Sequence, residues 1–435
     1  MLTAPSGLGF IVVRANLLTV PTGVWTRVAL ISLGGFFEFY DIFFAGYIAP
    51  GLVRAGILTS TTRGLFGTTG IAGFVAAMFL GLFMGTALVS FVADRLGRRT
   101  IFTYSLLWYT VASVVMAFQH HVFGINLWRF VSGIGVGVEL VTIDTYLAEL
   151  VPAHLRGRAF AINQTIQFCA VPVVALLAWL LVPRAPLGIE GWRWVVLVGA
   201  TGAILVWWIR RRVPESPRWL AEHGKKPDSP HSTHHGFREM WRPPYRSRSI
   251  MLIIFHLFQT VGFYGFSNWV PTLLIQRGIA ITSSLRYTFI IAIAAPFGPL
   301  LAATIADRLE RKRQIVWSAL AIAVSGLLFG QMTAAALLIF FGVLLTLANN
   351  ILSFSSHAYQ AELYPTRIRA MAVGFVYSAS RISVVFSSFV IGFFLDRLGV
   401  PGVFALIAGS MLIVMLTIGL LGPATNRLAL EEISR

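Results

Sequence analysis

Charged side chains lie inside long apolar runs of this sequence, where an uncompensated charge is costly. Glu38 and Asp41 share one run at a spacing of three residues, which places both on one face of a helix. Arg129 and Arg381 each lie in a different run. A charge at the centre of a bilayer costs at least ~2.5–3.5 kcal/mol, so each of these groups needs a partner, a wet cavity or a task. Buried carboxylates can exchange protons, and guanidinium groups bind carboxylates.

The apolar runs indicate a membrane protein. Of the 435 residues, 57% are hydrophobic, and the mean hydropathy of +0.77 is far above that of ordinary soluble proteins. Runs of ~20 apolar residues can cross the hydrocarbon core as helices. The sequence therefore predicts an all-α membrane protein with twelve transmembrane helices, at 25–50, 66–93, 101–118, 126–147, 159–182, 194–209, 250–270, 285–305, 314–330, 333–359, 372–395 and 401–421.

The chain contains an internal repeat. The segment DRL at 94–96 recurs at 307–309, and YLAELVP at 146–152 recurs as YQAELYP at 359–365. Both motifs are displaced by the same offset, from 94 to 307 and from 146 to 359. A shared offset predicts two duplicated halves, an architecture that transporters use to place a site between them. We expect a six-helix bundle at 1–209, a basic linker at 210–249 and a second six-helix bundle at 250–435.

The positive charges predict the orientation in the membrane. Net charge is +17, and 25 of the 34 Lys and Arg residues fall on the side that both termini and the linker share. Seven fall on the other side, and only Arg129 and Arg381 remain within spans. This asymmetry is the positive-inside signal, so both termini are expected in the cytoplasm. The charge therefore needs no nucleic-acid partner to explain it.

The first half resembles the sugar porters of the major facilitator superfamily, and the superfamily resemblance extends over essentially the whole chain. The segment WRFVSGIGVG at 128–137 is similar to the fourth helix of that branch. The string PESPRWL at 214–220 is similar to the stretch after its sixth helix and also occurs in related organic-ion transporters. The resemblance implies the twelve-helix major facilitator fold with two pseudo-symmetric bundles.

The second half departs from the sugar porters. They present a Gln-Gln pair and a downstream Asn on the seventh helix, whereas this chain keeps only Gln259 and has Tyr264 in place of the Asn. The segment AELYPTRIRA at 361–370 resembles organic-anion and nicotinate-type transporters, and Arg381 falls where those relatives carry an arginine on the eleventh helix. The departure favours a small organic acid over a sugar.

The resemblance also implies a proton-coupling pair. Asp41 stands where proton-coupled sugar porters have a first-helix aspartate, and Arg129 matches their fourth-helix arginine. Separating such a pair, or wetting one member, changes proton affinity, which a coupled carrier requires. Glu38 is the third candidate for proton coupling. A static structural ion pair is the alternative.

The expected substrate site centres on Arg381, whose planar fork of donors suits a carboxylate. Polar and aromatic residues at helical spacing complete it, and Gln164 matches a sugar-contacting glutamine of the sugar porters. Hydrogen bonds between helices are the alternative role for the polar members, and an ion pair with Glu38 or Asp41 is the alternative for Arg381. The candidate ligand-binding residues are Arg381, Gln164, Gln167, Gln259, Phe263, Tyr264, Tyr377, Asn349 and Ser353.

The repeated motifs predict a cytoplasmic gate. Their charges lie just past the second and eighth spans and at the ends of the fourth and tenth, and the superfamily resemblance implies that such charges lock the cytoplasmic sides together. The candidates are Asp94, Arg95, Arg98, Glu149, Arg156, Asp307, Arg308, Arg311, Glu362 and Arg369. Glu139 and Asp144 could line the exit or belong to this gate.

Together these features predict a proton-coupled symporter of a small organic acid that works by alternating access, with aromatic carboxylates among the candidate substrates. A proton-coupled sugar or polyol symporter is the alternative, and a non-transporting receptor is an alternative of another class. No phosphate-binding Gly-x-x-x-x-Gly-Lys-Ser/Thr motif, nucleophile–base pair or metal-ligand spacing occurs in the spans. We therefore expect no catalytic, metal or cofactor site. The expected setting is a bacterial inner membrane, with a multi-pass monomer in contact with lipid, protons and a small-molecule substrate.

Overall fold

Long helices dominate the structure. A computed structural model describes the backbone of residues 22–60, 70–96, 98–151, 155–210, 233–305 and 309–425. Within these ranges nearly every residue of the twelve predicted spans is helical. Helix is the expected result, because a segment in lipid must satisfy its backbone N–H and C=O groups internally.

In the described part of the first half, α5 and α6 follow one another around Cys169 and together cover one predicted span. The break precedes Pro172, which lacks a backbone N–H and clashes with the carbonyl four residues earlier. The helices are α1 (Thr22–Arg54), α2 (Ile71–Leu96), α3 (Arg98–Ala117), α4 (Val122–Leu150), α5 (Arg156–Phe168), α6 (Ala170–Leu181) and α7 (Gly191–Arg210).

The second half repeats this pattern with more interruptions. Pro271 opens α10, Pro296 lies between α11 and α12, and a left-handed Gly399 (φ 66°) followed by Pro401 breaks α15 into two spans. The helices are α8 (Thr233–Met240), α9 (Tyr245–Ser267), α10 (Val270–Gln276), α11 (Ile281–Ala292), α12 (Phe297–Ile305), α13 (Arg311–Gln331), α14 (Ala335–Glu362) and α15 (Thr366–Leu421).

Nine helical segments of the described chain are long and apolar enough to cross a membrane. One of them, Met371–Leu421, contains the break at Gly399 and covers two predicted spans. Another apolar helix, Ile71–Thr86, is shorter. We call the end of the bundle at which α7 ends and α9 begins the linker end, and the other end the opposite end.

Glycines bring α2 and α4 into backbone contact. A Cβ atom at Gly81 or Gly85 of α2 would collide with a backbone carbonyl oxygen of α4, at Phe130 and Ile134 respectively. The relation is reciprocal, since a Cβ at Gly133 or Gly137 of α4 would collide with a carbonyl of α2. Small residues spaced by four let membrane helices approach this closely. We call this contact the glycine seam.

The two halves contact each other toward the opposite end. A Cβ at Gly46 of α1 would collide with the backbone carbonyl of Asn268, between α9 and α10. Trp179 of α6 stacks on Phe289 of α11, with ring centroids 5.8 Å apart and an interplanar angle of 18°. These contacts hold the opposite ends of the halves together in this structure.

Candidate functional site

Asp41 and Arg129 form a buried ion pair between α1 and α4. Arg129 Nη1 lies 2.9 Å from Asp41 Oδ2, and Arg129 Nη2 donates to the Asp41 backbone carbonyl at 2.6 Å. Ser113 Oγ donates to Asp41 Oδ1 at 2.6 Å, and Ser132 Oγ donates to Oδ2 at 2.9 Å. The carboxylate therefore has donors on both oxygens, supplied by α3 and α4.

Aromatic rings enclose the guanidinium of this pair. The Arg129 Cζ atom lies 4.3 Å from the ring centroid of Phe44 and 5.5 Å from that of Phe74, and the side chain is fully buried. The ring faces attract the cation and exclude water from it. Removing either partner of such a pair would leave an uncompensated charge, which is strongly unfavourable.

The other acidic candidates lie apart from this pair. Glu38 is fully buried on α1 and acts electrostatically on Arg381 in the second half. Glu139 is fully buried on α4. The side chain of Asp144 lies outside the part of the chain that the structure describes. Of the three residues predicted for proton coupling, the structure thus brings two together and places the third toward Arg381.

Arg381 lies in the interior of the second half, on α15, and is 2% exposed. Its Nη1 donates to Tyr264 Oη at 3.2 Å, and its Nη2 donates to Tyr377 Oη at 2.9 Å. The Cζ atom lies 4.7 Å from the Tyr377 ring centroid. Its Nε is buried without a hydrogen-bond partner among the described residues. The guanidinium thus donates to two neutral hydroxyl groups, and its Nε–H has no hydrogen-bond partner among the described residues.

Two histidines stand beside this arginine, and sequence reasoning missed both. The rings of His256 on α9 and His357 on α14 each lie 5.3 Å from the Tyr377 ring, both at 84° to it. His256 Nε2 is hydrogen-bonded to Gln360 Oε1 at 2.8 Å. The available signal was an ionisable residue inside an apolar span, the same signal that selected Arg381.

An aromatic layer joins the halves next to Arg381. Tyr264 packs edge-on against Phe79 of α2, with centroids 4.6 Å apart, and lies 6.5 Å from Phe43 of α1. Phe263 lies 6.3 Å from both Phe43 and Phe168. Rings from both halves therefore meet at mid-bundle, and one of them is a direct partner of Arg381.

The remaining substrate candidates are spread over three helices. Gln167 is buried and packs where a Cβ at Gly35 of α1 would lie, whereas Gln164 is only half-buried. Asn349 on α14 is 2% exposed, and neither atom of its amide has a hydrogen-bond partner among the described residues. Gln259 is buried on α9, and Ser353 is half-buried on α14.

The gate candidates can be placed only in the second half. Arg311 forms an ion pair with Glu362, joining the start of α13 to the end of α14 at the linker end. Arg369 Nε donates to the Tyr364 backbone carbonyl at 3.1 Å. Of the remaining gate candidates, only the backbone is described for Asp94, Arg95, Arg98, Glu149 and Arg156, and Asp307 and Arg308 lie outside the described residues.

The fold and the site define a class. Long apolar helices in two connected halves, with buried charges and an aromatic layer where the halves meet, form a multi-pass membrane transporter for a small molecule. The family model described as Major Facilitator Superfamily matches residues 31–332 and 287–432. The chain belongs to this superfamily, whose members are transporters and not enzymes.

Relatives of known name support the same class. YyaJ of Bacillus subtilis, a protein named for metabolite transport, is 30% identical over 420 residues, covering 90% of this chain and 90% of its own. The niacin transporter NiaP of Acinetobacter baylyi is 28% identical over 435 residues, covering 94% and 96%. Both relatives align along almost the whole chain.

The fold is similar to that of solved sugar transporters. The xylose transporter XylE from E. coli, in a partially occluded inward-open conformation, superposes with a TM-score of 0.78. The match covers 93% of this chain and 99% of XylE, at 19% sequence identity. At this sequence identity the likeness concerns the fold alone. A fold like that of the sugar porters, together with metabolite-transporter relatives, is the mixed resemblance that the sequence predicts.

Proposed function

We propose that the protein is a proton-coupled symporter of a small organic acid, with an aromatic carboxylate as the preferred substrate class. It works as a monomer by alternating access in the inner membrane of a bacterial cell. In this proposal twelve helices cross the membrane, both termini are cytoplasmic, and 1–209 and 250–435 move relative to each other about the linker 210–249. The linker end is then the cytoplasmic end.

The environment of Arg381 is the observation that carries the proposal. A permanently charged guanidinium is buried, donates to neutral hydroxyl groups and retains an unused Nε donor. Burying a cation is costly, so a bound carboxylate would add to the compensation that the hydroxyl groups and Glu38 supply. A planar fork of donors fits the two oxygens of a carboxylate better than it fits a sugar hydroxyl.

The aromatic layer supports a ring-bearing acid. Tyr264, a hydrogen-bond partner of Arg381, packs against the rings of Phe43 and Phe79, and Phe263 next to it packs against those of Phe43 and Phe168. Aromatic pairs prefer offset or edge-to-face geometry, which a substrate ring could adopt between them. The relative named for niacin transport fits this class, since niacin is an aromatic carboxylic acid.

The buried pair in the first half supports proton coupling. Asp41 is held by Arg129 and two serines, so its proton affinity depends on the position of α1 relative to α3 and α4. A conformational change that separates the pair would favour protonation on one side of the membrane. Re-forming the pair would favour proton release on the other side.

A ligand screen followed by transport tests the proposal. Purified protein would be heated with nicotinate, benzoate, xylose and a polyol in parallel, because a bound ligand stabilises the folded state. The stabilising compounds would then be offered to proteoliposomes with an inward proton gradient. We expect stabilisation and gradient-driven accumulation for a carboxylate and for neither sugar nor polyol.

A sugar or polyol symporter is the second candidate, and Asn349 favours it. Both polar atoms of its buried amide lack a hydrogen-bond partner among the described residues, and a neutral amide suits hydroxyl groups. Stabilisation by xylose or the polyol, with none by the acids, would establish this alternative. Binding without uptake into sealed vesicles would instead indicate a receptor.

A further inference from the structure

The second half contains a cluster that the proposed function does not yet use. His256, His357 and Arg381 come from three helices and surround one ring, that of Tyr377. His256 is 2% exposed and Arg381 is equally buried. Three nitrogenous side chains around one half-buried ring are an unusual interior for a membrane bundle, since each can carry a positive charge.

The hydrogen bonds identify where a proton could be accepted. Gln360 Oε1 can only accept, so His256 Nε2 carries hydrogen and the lone pair of this imidazole lies on Nδ1. The Nδ1 atoms of His256 and His357 are both buried without a hydrogen-bond partner among the described residues. The Nδ1 of His256 is thus a basic nitrogen that no described protein donor satisfies, and the imidazole of His357 likewise has an unsatisfied Nδ1.

The charges around the cluster decide when such a proton is tolerated. The titratable and charged groups facing it are His256 and Tyr264 on α9, His357 on α14, Tyr377 and Arg381 on α15, and Glu38 on α1. An imidazolium beside the guanidinium would place two positive charges in low dielectric, where their repulsion is strong. A carboxylate bound to Arg381 would add negative charge to that of Glu38 and offset the added positive charge.

We propose that His256 and His357 form an anion-linked proton site, in which imidazole Nδ1 takes a proton from water when a carboxylate occupies Arg381. The proton returns to water when the carboxylate leaves. This inference rests on the proposed function, because it requires a carboxylate at Arg381. Binding of the two is reciprocal: the anion increases proton affinity by the factor by which the proton increases anion affinity.

The site is distinct from Asp41 in location and in partner. Asp41 lies in the first half and responds to the separation of α1 from Arg129, whereas the histidine pair responds to the substrate itself. A carboxylate and its linked proton enter as a neutral pair. The charge that moves with the conformational change is then determined by Asp41 alone.

Calorimetry on the purified full chain tests the inference. Nicotinate and benzoate would be titrated between about pH 6 and pH 8, well above the ~4 at which carboxyl groups ionise, in two buffers of different ionisation enthalpy. The buffer dependence of the heat gives the protons taken up per bound anion. We expect an uptake approaching one proton and a Kd that tightens by up to about tenfold per pH unit toward acid.

Variants assign that proton to the pair. The double variant His256→Gln/His357→Gln keeps hydrogen-bonding capacity but cannot titrate, so its proton uptake should fall toward zero and its Kd should lose the pH dependence. His121→Gln, at an exposed position far from the cluster in sequence, serves as the matched control and should behave as wild type. If the double variant does not fold, the two single variants test the assignment. Each should take up fewer protons per bound anion than the wild-type protein does.

The outcomes separate this inference from the proposed function. Failure of both acids to bind wild-type protein would overturn both. A Kd for either acid that does not change with pH, without proton uptake, would leave the carboxylate site standing and overturn the proton linkage. Undiminished uptake in the histidine variants would overturn the assignment to His256 and His357.

Discussion

Each half of the protein buries one arginine near mid-membrane, and the two arginines have different kinds of partner. Arg129 donates to a carboxylate of its own chain, which two serines also hold. Arg381 donates to two tyrosine hydroxyl groups, and its Nε has no hydrogen-bond partner among the described residues. The first half therefore compensates its buried cation internally, whereas the second half does so only in part.

This difference separates two kinds of chemistry within one duplicated fold. An internal ion pair can respond to movement, because separating its members changes their affinity for a proton. A cation whose hydrogen-bond partners are neutral can respond to an external anion, because the anion adds negative charge to that of Glu38. The pseudo-symmetric halves thus divide proton coupling and substrate recognition between them in our proposal.

The largest expected effect concerns the stability of the two sites. Arg129→Met leaves Asp41 buried and unpaired, which should destabilise the protein by ~3–5 kcal/mol. Arg381→Met removes two bonds to neutral groups and should cost ~1–3 kcal/mol. Thermal unfolding of both variants in detergent measures the difference. Adding Asp41→Asn to Arg129→Met should recover stability. Equal losses of stability in Arg129→Met and Arg381→Met would contradict the difference between the two sites.

Substrate affinity should depend on the geometry of Arg381 and not only on its charge. Arg381→Lys keeps a cation but loses the planar fork, so carboxylate binding should weaken by ~1.5–3 kcal/mol. Calorimetry with the acid selected in the screen measures it. Arg286→Lys is the control, since this exposed arginine also lies beside a tyrosine ring, 5.5 Å from Tyr287. If Arg381→Lys binds the acid with wild-type affinity, Arg381 has a structural role and does not bind the carboxylate through its planar fork.

Proton coupling should be lost without loss of binding when Asp41 is neutralised. Asp41→Asn cannot release a proton, so accumulation driven by the membrane potential should disappear while exchange of labelled for unlabelled substrate persists. The driving force at stake is ~2.3 kcal/mol per charge at 100 mV. Both modes can be measured in the same proteoliposomes. Continued accumulation driven by the membrane potential would exclude Asp41 as the coupling site.

The smallest expected effect lies at the linker end. Glu362→Gln removes the half-buried pair with Arg311, a change of ~0.2–1 kcal/mol that should shift the balance between gate states. Glu310→Gln is the control, because Glu310 pairs with a mostly exposed Arg313 at the same end. Labelling of a cysteine placed at Ser378, after Cys169 is replaced, reports the shift. Equal labelling in both variants would mean that the Glu362–Arg311 ion pair contributes to helix packing and not to the gate.

The sequence predicts the helices well and the contacts between them unevenly. Asp41 and Arg129 are recognisable by motif, and Ser132 lies about one turn after Arg129 on the same helix, but Ser113 joins them only because α3 packs beside α4. Tyr377 lies one turn before Arg381 and is visible as part of the same stripe. Periodicity and motif report one helix at a time, so partners on other helices stay hidden.

The two histidines also show that a sequence pattern does not predict contacts between different helices. His256 and His357 are 101 positions apart in the sequence, numbered 256 and 357, and no motif marks either one. Only the packing of α9, α14 and α15 around Tyr377 brings them together. An intramembrane ionisable residue is worth examining even where no family pattern includes it.

The glycine seam gives the first half a mechanical property. Gly133 lies one helical turn after Arg129, and backbone meets backbone there without flexible side chains to absorb a displacement. A shift of Arg129 must therefore carry α2 with it. Phe79 on α2 touches Tyr264, the partner of Arg381. The stiffness of two glycine-lined backbones thus links the motion of the ion pair to the tyrosine that holds the second arginine.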